Sequence, residues 1–146
     1  MPLLGLSSAR IVKTGLTDSN LLAMPSKIDD AGWFSKSASP GSGSGAVVLT
    51  GHNGGVSRTG AFAKFGELQA GDEIIIERGD GKIFTYSVRE VRDIALTSMD
   101  SALMSELMQS VEPDTEGLTL VTSAGNWIPK QKIFDRRIIV RAVLSE

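Results

Sequence analysis

The chain has 146 residues, 41% hydrophobic and 22% charged, with a formal net charge of −2. That length fits one domain with a real core, and the near-neutral charge gives no general attraction to nucleic acid. The absence of cysteine excludes a disulfide framework and a thiolate metal site.

No apolar run approaches the ~20 residues that span a bilayer. The start, MPLLGLSSARI, lacks the basic region and long apolar stretch of a signal peptide. In chain order, ARIVKTGLT reads as a strand and turn, and NLLAMPSKIDDAGWF as irregular, with a short turn of helix around Ile28 to Gly32. SASPGSGSG, Ser37 to Gly45, has the composition of a flexible surface loop. AVVLTGH, Ala46 to His52, is a continuous apolar run, as expected of a strand buried on both faces. DEIIIERGDGKIFTYSVREVRDI predicts a hairpin with its turn at Gly79-Asp80-Gly81. Along its second strand Phe84, Tyr86, Val88 and Glu90 alternate with Ile83, Thr85, Ser87 and Arg89, and the first set predicts the core side for most of its length.

TSMDSALMSELMQSV predicts a helix capped by Ser98 or Asp100, with Met99, Leu103, Leu107 and Met108 as its buried stripe. GLTLVTS and DRRIIVRAVL follow as strands, the first ending at Ser123 in a small-residue turn. Mostly strands, one late helix and no strand–helix alternation predict a single all-β domain over residues 1–146, a closed or nearly closed barrel.

Few residues offer chemistry. The single histidine, His52, ends the buried strand between glycines that let other groups approach its ring. A lone histidine is most often structural. One His, no Cys and no carboxylate pair at ligand spacing leave too little for a metal. GSGSG and RGDG lack the Lys-Ser/Thr sequel of a phosphate loop, and the hairpin turn accounts for Arg78 to Asp80. Ser123 shares a strand face with Thr119 and Val121, but Gly-x-Ser-x-Gly is absent, and a serine ending a strand is usually structural. Basic residues gather late, at Lys130, Lys132, Arg136, Arg137 and Arg141; the ordinary reading is a solvated face. Arg137 and Arg141 nevertheless share a face with Ile139, with Arg136 on the other. A buried arginine needs a partner, and one such partner is a developing oxyanion.

Four segments together resemble the catalytic domain of the sortases, cysteine transpeptidases of bacterial cell envelopes. They are AVVLTGH at 46–52, GAFAKFGELQAGDEIII at 60–76, LTLVTS at 118–123 and RRIIVRA at 136–142. The family pattern is a strand ending in Gly-His, F..L..L..GD before a strand, Thr-Leu-x-Thr-Cys, and an arginine on the last strand. The segment from Lys13 to His52 is similar to sortases of high-GC Gram-positive bacteria, the class E and F groups.

The resemblance implies an eight-stranded closed β-barrel with one or two short helices. It implies catalytic roles for His52, Ser123 at the cysteine position, and Arg137, with Arg136 the runner-up. It implies no cofactor, and no calcium dependence is expected. The implied substrate is an LPxTG-like sorting signal of a surface protein or pilin, cleaved at Thr–Gly. The acyl group then passes to an amine on a pilin or a peptidoglycan precursor. The implied location is the outer face of the cytoplasmic membrane, held by an anchor that this chain does not include. Val121 and Thr122 are expected to floor the substrate groove. Its other walls are the loop after His52, the segment before the helix, and the loop from Ala124 to Lys130. Within that loop Trp127 is either a core anchor or an aromatic wall.

Serine departs from the pattern. A cysteine, with a pKa near 8.5, reaches its thiolate close to neutral pH, whereas a serine hydroxyl needs a general base in contact. The chain as written is therefore expected to be inactive or nearly so. Either the serine is an engineered substitution, or it is native to a pseudoenzyme or an unusual serine transpeptidase. A non-catalytic peptide-binding barrel and a purely structural barrel module are the competing readings.

Overall fold

The computed structural model describes residues 11–15, 31–34, 36–38, 40–51, 68–77, 81–98, 100–112, 114–130 and 133–145. Among the described residues seven strands form one sheet: β1 (Ile11–Thr14), β2 (Ala31–Phe34), β3 (Ala46–Gly51), β4 (Glu73–Glu77), β5 (Ile83–Ala95), β6 (Gly117–Ile128) and β7 (Ile133–Leu144). Their order is β1-β2-β3-β6-β7-β5-β4. A 3-10 turn (Leu96–Ser98) and one helix, α1 (Ser101–Leu107), lie between β5 and β6. The pairs β1–β2 and β3–β6 are parallel and the others antiparallel. Neither an eighth strand nor a β1–β4 pairing that would close a barrel is present among the described residues.

The sheet curls around one apolar face. Val47 and Leu49 of β3, Leu118 and Leu120 of β6, Val140 and Ala142 of β7, Tyr86 and Val88 of β5, and Ile74 and Ile76 of β4 form its core. On the other face Phe34, Val48, Val121 and Ile139 pack with Leu107 of α1. All of β3 is buried, because it has apolar partners on both sides. A bulge between Val88 and Glu90 interrupts the strict alternation of β5. Phe84, Tyr86 and Val88 face the core as expected, and beyond the bulge Val91 joins them while Glu90 turns away to pair with Arg92.

Asp100 caps α1, its carboxylate accepting from Leu103 N–H at 2.9 Å, while Ser98 belongs to the preceding 3-10 turn. Leu107 is buried, and Leu103 and Met108, together with Met104, pack half-buried beside it; Met99 lies outside the described residues. β4 and β5 pair with Glu77 opposite Ile83, as the hairpin requires, with Arg78 to Asp80 outside the described residues.

One local expectation is corrected. Ala31 and Gly32 belong to strand β2 rather than to a turn of helix, since Ala31 pairs with Gly51 and Gly32 with Thr50. The described residues of the Ser37 to Gly45 segment form a surface loop, as expected, tied down by hydrogen bonds. Ser37 Oγ donates to the Phe34 carbonyl and accepts from Val48 N–H, and Gly41 and Gly43 N–H donate to the buried Glu116 carboxylate.

Candidate active site

β6 does not end at Ser123. It continues to Ile128, and its register against β7 shifts between Ala124, opposite Arg136, and Trp127, opposite Phe134. Three steps on β6 match two on β7, so one extra residue is accommodated at Gly125–Asn126. The small-residue turn expected there is a β-bulge, and the segment from Ala124 to Ile128 is strand rather than loop. Glycine and asparagine tolerate the irregular backbone that a bulge requires. Bulges of this kind are common beside reactive positions, where they bend a strand and re-aim its residues.

Ahead of the bulge the ladder pairs Thr119 with Arg141, Val121 with Ile139 and Ser123 with Arg137. Directly opposed positions share a sheet face. On the other side β3 runs parallel to β6, ending with Gly51 opposite Thr122, whose hydroxyl donates to the Gly51 carbonyl at 2.8 Å. In the sequence His52 follows Gly51 and Ser123 follows Thr122. His52 lies outside the described residues.

The three arginines of β7 differ. Arg136 is half-buried and its Nε donates to Asp93 Oδ1 at 2.7 Å, an ion pair at the surface. Arg141 is 2% exposed and closes the end of α1, donating to the carbonyls of Gln109 and Glu106. Arg137 is 7% exposed, with Nη1 donating to the Arg136 carbonyl at 2.8 Å. Burial lowers its pKa from the ordinary guanidinium value. On its far side it is paired with Ile94 of β5. A guanidinium removed from water acts strongly on any negative charge that develops beside it.

Of the positions expected to carry chemistry, 123 and 137 are thus cross-strand partners. Val121 is buried among Phe34, Val48, Leu107 and Ile139, and the Thr122 hydroxyl is committed to Gly51. Trp127 stands opposite Phe134, just past the bulge. Ile94, opposite Arg137, carries no local sequence signal of that position, because it sits in an alternating strand whose phase the bulge at Arg89 reverses. Among the described residues no cluster of His, Cys, Asp or Glu is suited to a metal ion, and no helix is long and apolar enough to cross a membrane.

Comparison with solved structures returns sortases. A lid mutant of sortase A from Corynebacterium diphtheriae superposes with a TM-score of 0.64 at 22% identity, over 92% of this chain and 62% of that one. Sortase C2 of Group B Streptococcus Pilus Island 1 gives 0.64 at 17% identity, over 93% and 66%. A Clostridium perfringens sortase D5 transpeptidase gives 0.57 at 23% identity, over 86% and 71%. At these identities the likeness shows a shared fold, and this chain spans less than two thirds of the length of the first two. No curated protein sequence matches the chain. The family model for the sortase domain matches residues 1–145, essentially the whole sequence, and the chain therefore belongs to the sortase family.

Proposed function

We propose that this chain is the catalytic domain of a class E or F sortase-type transpeptidase, with Ser123 in the nucleophile position, His52 as the acid and Arg137 as the oxyanion donor. The observation that carries the reading is the cross-strand pairing of Ser123 with the buried Arg137, one residue beyond the Gly51–Thr122 pair. Arg136 is a poor candidate for the same role, being held at the surface by Asp93. The whole domain closes into an eight-stranded barrel.

The substrate is an LPxTG-like sorting signal of a surface or pilin protein, in keeping with the pilus-associated sortase of Group B Streptococcus among its structural neighbours. Val121 and Thr122, both buried, support position 123 from within β6, and Trp127 borders the scissile bond. With a thiol at position 123, thiolate sulfur attacks the Thr–Gly carbonyl, and Arg137 stabilises the oxyanion. His52 gives its proton to the leaving amine, the C–N bond breaks, and a thioester remains. An amine of a pilin or a peptidoglycan precursor then attacks the thioester, gives a proton back to His52, and releases the thiolate as the C–S bond breaks. The domain works at the outer face of the cytoplasmic membrane.

Serine removes the ready nucleophile, since its hydroxyl is far less acidic than a thiol and must be deprotonated during attack. The test is cleavage of a fluorogenic LPxTG peptide series by the chain as written and by Ser123→Cys, with and without an amine acceptor. Cleavage and transfer by the cysteine form alone is the expected result. Binding without cleavage by a folded, reduced Ser123→Cys protein would instead favour a peptide-binding pseudo-sortase. Neither binding nor cleavage would leave a structural barrel module.

A further inference from the structure

Glu116 and the segment Gly41-Ser42-Gly43-Ser44-Gly45 sit at the end of the β3–β6 pair remote from positions 51 and 122. Glu116 is 2% exposed. Its Oε2 accepts from Gly41 N–H at 3.1 Å and from the Tyr86 hydroxyl, and its Oε1 accepts from Gly43 N–H at 2.9 Å. Gly41, Gly43 and Gly45 have φ of 90°, 88° and 70°, in the left-handed region. This alternation turns the N–H groups of residues 41 and 43 toward one point. Such a concave set of amides is an anion site, and here the anion is the chain's own carboxylate. Tyr86 is fully buried, and burial together with Glu116 raises its pKa, so it keeps the proton it donates.

The ladder begins immediately beyond this cluster. Gly117 N–H donates to the Gly45 carbonyl at 2.8 Å, and Ala46 stands opposite Gly117. Parallel strands have no tight turn to set their register, and a slip of one residue moves every side chain to the other face. Hydrophobic pattern resists such a slip poorly in β3, because Val47 and Leu49 on one face and Val48 on the other are all apolar and buried. Some other contact must define the register.

We infer that Glu116 is a positioning residue: its carboxylate, seated in the Gly41–Gly45 amides, fixes the β3–β6 register that places Gly51 opposite Thr122, the residues that precede His52 and Ser123 in the sequence. The inference rests on the function proposed above, and its test has one arm that needs no substrate. In the Ser123→Cys background, Glu116→Ala is compared with Asp100→Ala, a destabilising change at the α1 cap, at a temperature where circular dichroism shows both folded. The expected result is at least a tenfold loss of kcat with little change in KM for Glu116→Ala. Glu116→Gln, which keeps the shape and one carbonyl acceptor but turns its NH2 toward the other backbone N–H, should restore only part of it, and Asp100→Ala should lower Tm but leave kcat unchanged. The pH profile of iodoacetamide alkylation of the introduced thiol should shift in Glu116→Ala and not in Asp100→Ala.

An unchanged kcat and an unchanged alkylation profile in folded Glu116→Ala would overturn the inference. If Ser123→Cys itself turns over no peptide, the functional reading fails, and the alkylation profile alone decides on Glu116: a shift supports it, no shift overturns it. If Glu116→Ala does not fold, Glu116→Asp takes its place. Its shorter side chain cannot reach both the Gly41 and Gly43 amides, so a smaller shift in the same direction is expected, and no shift overturns the inference.

Discussion

Replacing Arg137 and Arg141 separately by alanine, in the Ser123→Cys background, should separate catalysis from stability. Both are buried and they stand four residues apart on β7. Arg141 donates from Nη2 to the carbonyls of Gln109 and, at 3.3 Å, Glu106, and its Nη1 lies 3.6 Å from the Glu106 carboxylate. Carbonyls at the end of a helix lack part of their helical N–H partners, although that of Glu106 also accepts from Gln109 N–H at 3.1 Å. A hydrogen bond from a charged donor is worth ~1.5–3 kcal/mol, and a buried carbonyl left unmet costs a similar amount. Arg141→Ala should therefore lose about 3 kcal/mol, which for a domain of this size lowers Tm by roughly 6–12 °C. The folded fraction should keep its kcat within about twofold, an order-of-magnitude allowance for small shifts at remote sites.

Arg137 should behave in the opposite way. Burial disfavours the charge of both arginines, but Arg137 does not hold the end of α1, so its removal should cost about 1–2 kcal/mol, less than that of Arg141. Loss of one oxyanion donor lowers kcat ~100- to 1000-fold, equivalent to about 2.7–4 kcal/mol. Lysine should restore little, because a point charge does not reproduce the guanidinium fork. Steady-state cleavage of a fluorogenic peptide and urea unfolding on the same preparations measure both effects. If Arg137→Ala keeps most of its kcat, or if Arg141→Ala loses activity as deeply without losing stability, the assignment of the oxyanion role to Arg137 is wrong.

Two further outcomes are expected. In Gly117→Ala the new Cβ would fall 2.8 Å from Ser110 Cα, a backbone atom that cannot swing aside. The start of β6 must then shift, at a cost of ~1–3 kcal/mol by urea unfolding, and an unchanged midpoint would mean that the 110–116 connection yields freely. The Glu106 carboxyl lies below its ordinary value near 4.5, chiefly through its hydrogen bond from Arg92. The folded state therefore holds fewer protons than the unfolded chain just below that value. The stabilising contribution is complete above pH 4.5 and is lost as pH falls through the folded pKa. The pair is exposed, so the contribution is at most about 1 kcal/mol. The stability difference between the chain and Glu106→Gln should shrink as pH falls through that window, and a difference that grows would contradict the sign.

Legibility from sequence followed how local the cause was. The helix and its cap, the alternation of Phe84, Tyr86 and Val88, and the fully buried β3 depend on neighbours in sequence, and each was readable. The continuation of β6 past Ser123 was not. Ala124-Gly125-Asn126 has the composition of a turn, and only pairing with Phe134 and Ile133 on β7 makes it a bulged strand. The parallel partnership of β3 with β6 has no local signature either, because it joins strands 65 residues apart, after an intervening hairpin and helix. Glu116 lies in the polar run Glu112-Pro113-Asp114-Thr115-Glu116, where composition suggests a solvated loop, yet its carboxylate is buried under the Gly41–Gly45 amides. The arginines were ambiguous for the same reason. Alternation placed Arg137 and Arg141 on one face, but only the position of α1 tells which one it occupies.

That face repeats one pattern at two sites. At the Thr119–Arg141 pair, the Thr119 hydroxyl donates to the Leu107 carbonyl at 2.8 Å and Arg141 donates to the carbonyls of Glu106 and Gln109. A hydroxyl residue and a guanidinium thus grip the backbone carbonyls of one helix end. The next pair, Val121 with Ile139, is apolar and sealed in the core. Beyond it Ser123 and Arg137 restore a hydroxyl residue opposite an arginine, ~13 Å further along the strands. A guanidinium fork prefers planar oxygen acceptors, and a peptide carbonyl satisfies that preference whether it belongs to this chain or to another. At the first site the carbonyls belong to α1 and are always present, so Arg141 contributes to stability. At the second, in the proposed reaction, the carbonyl arrives with the substrate and gains negative charge as the bond breaks. The same donor chemistry then lowers a barrier, which is why the two alanine substitutions should divide between Tm and kcat.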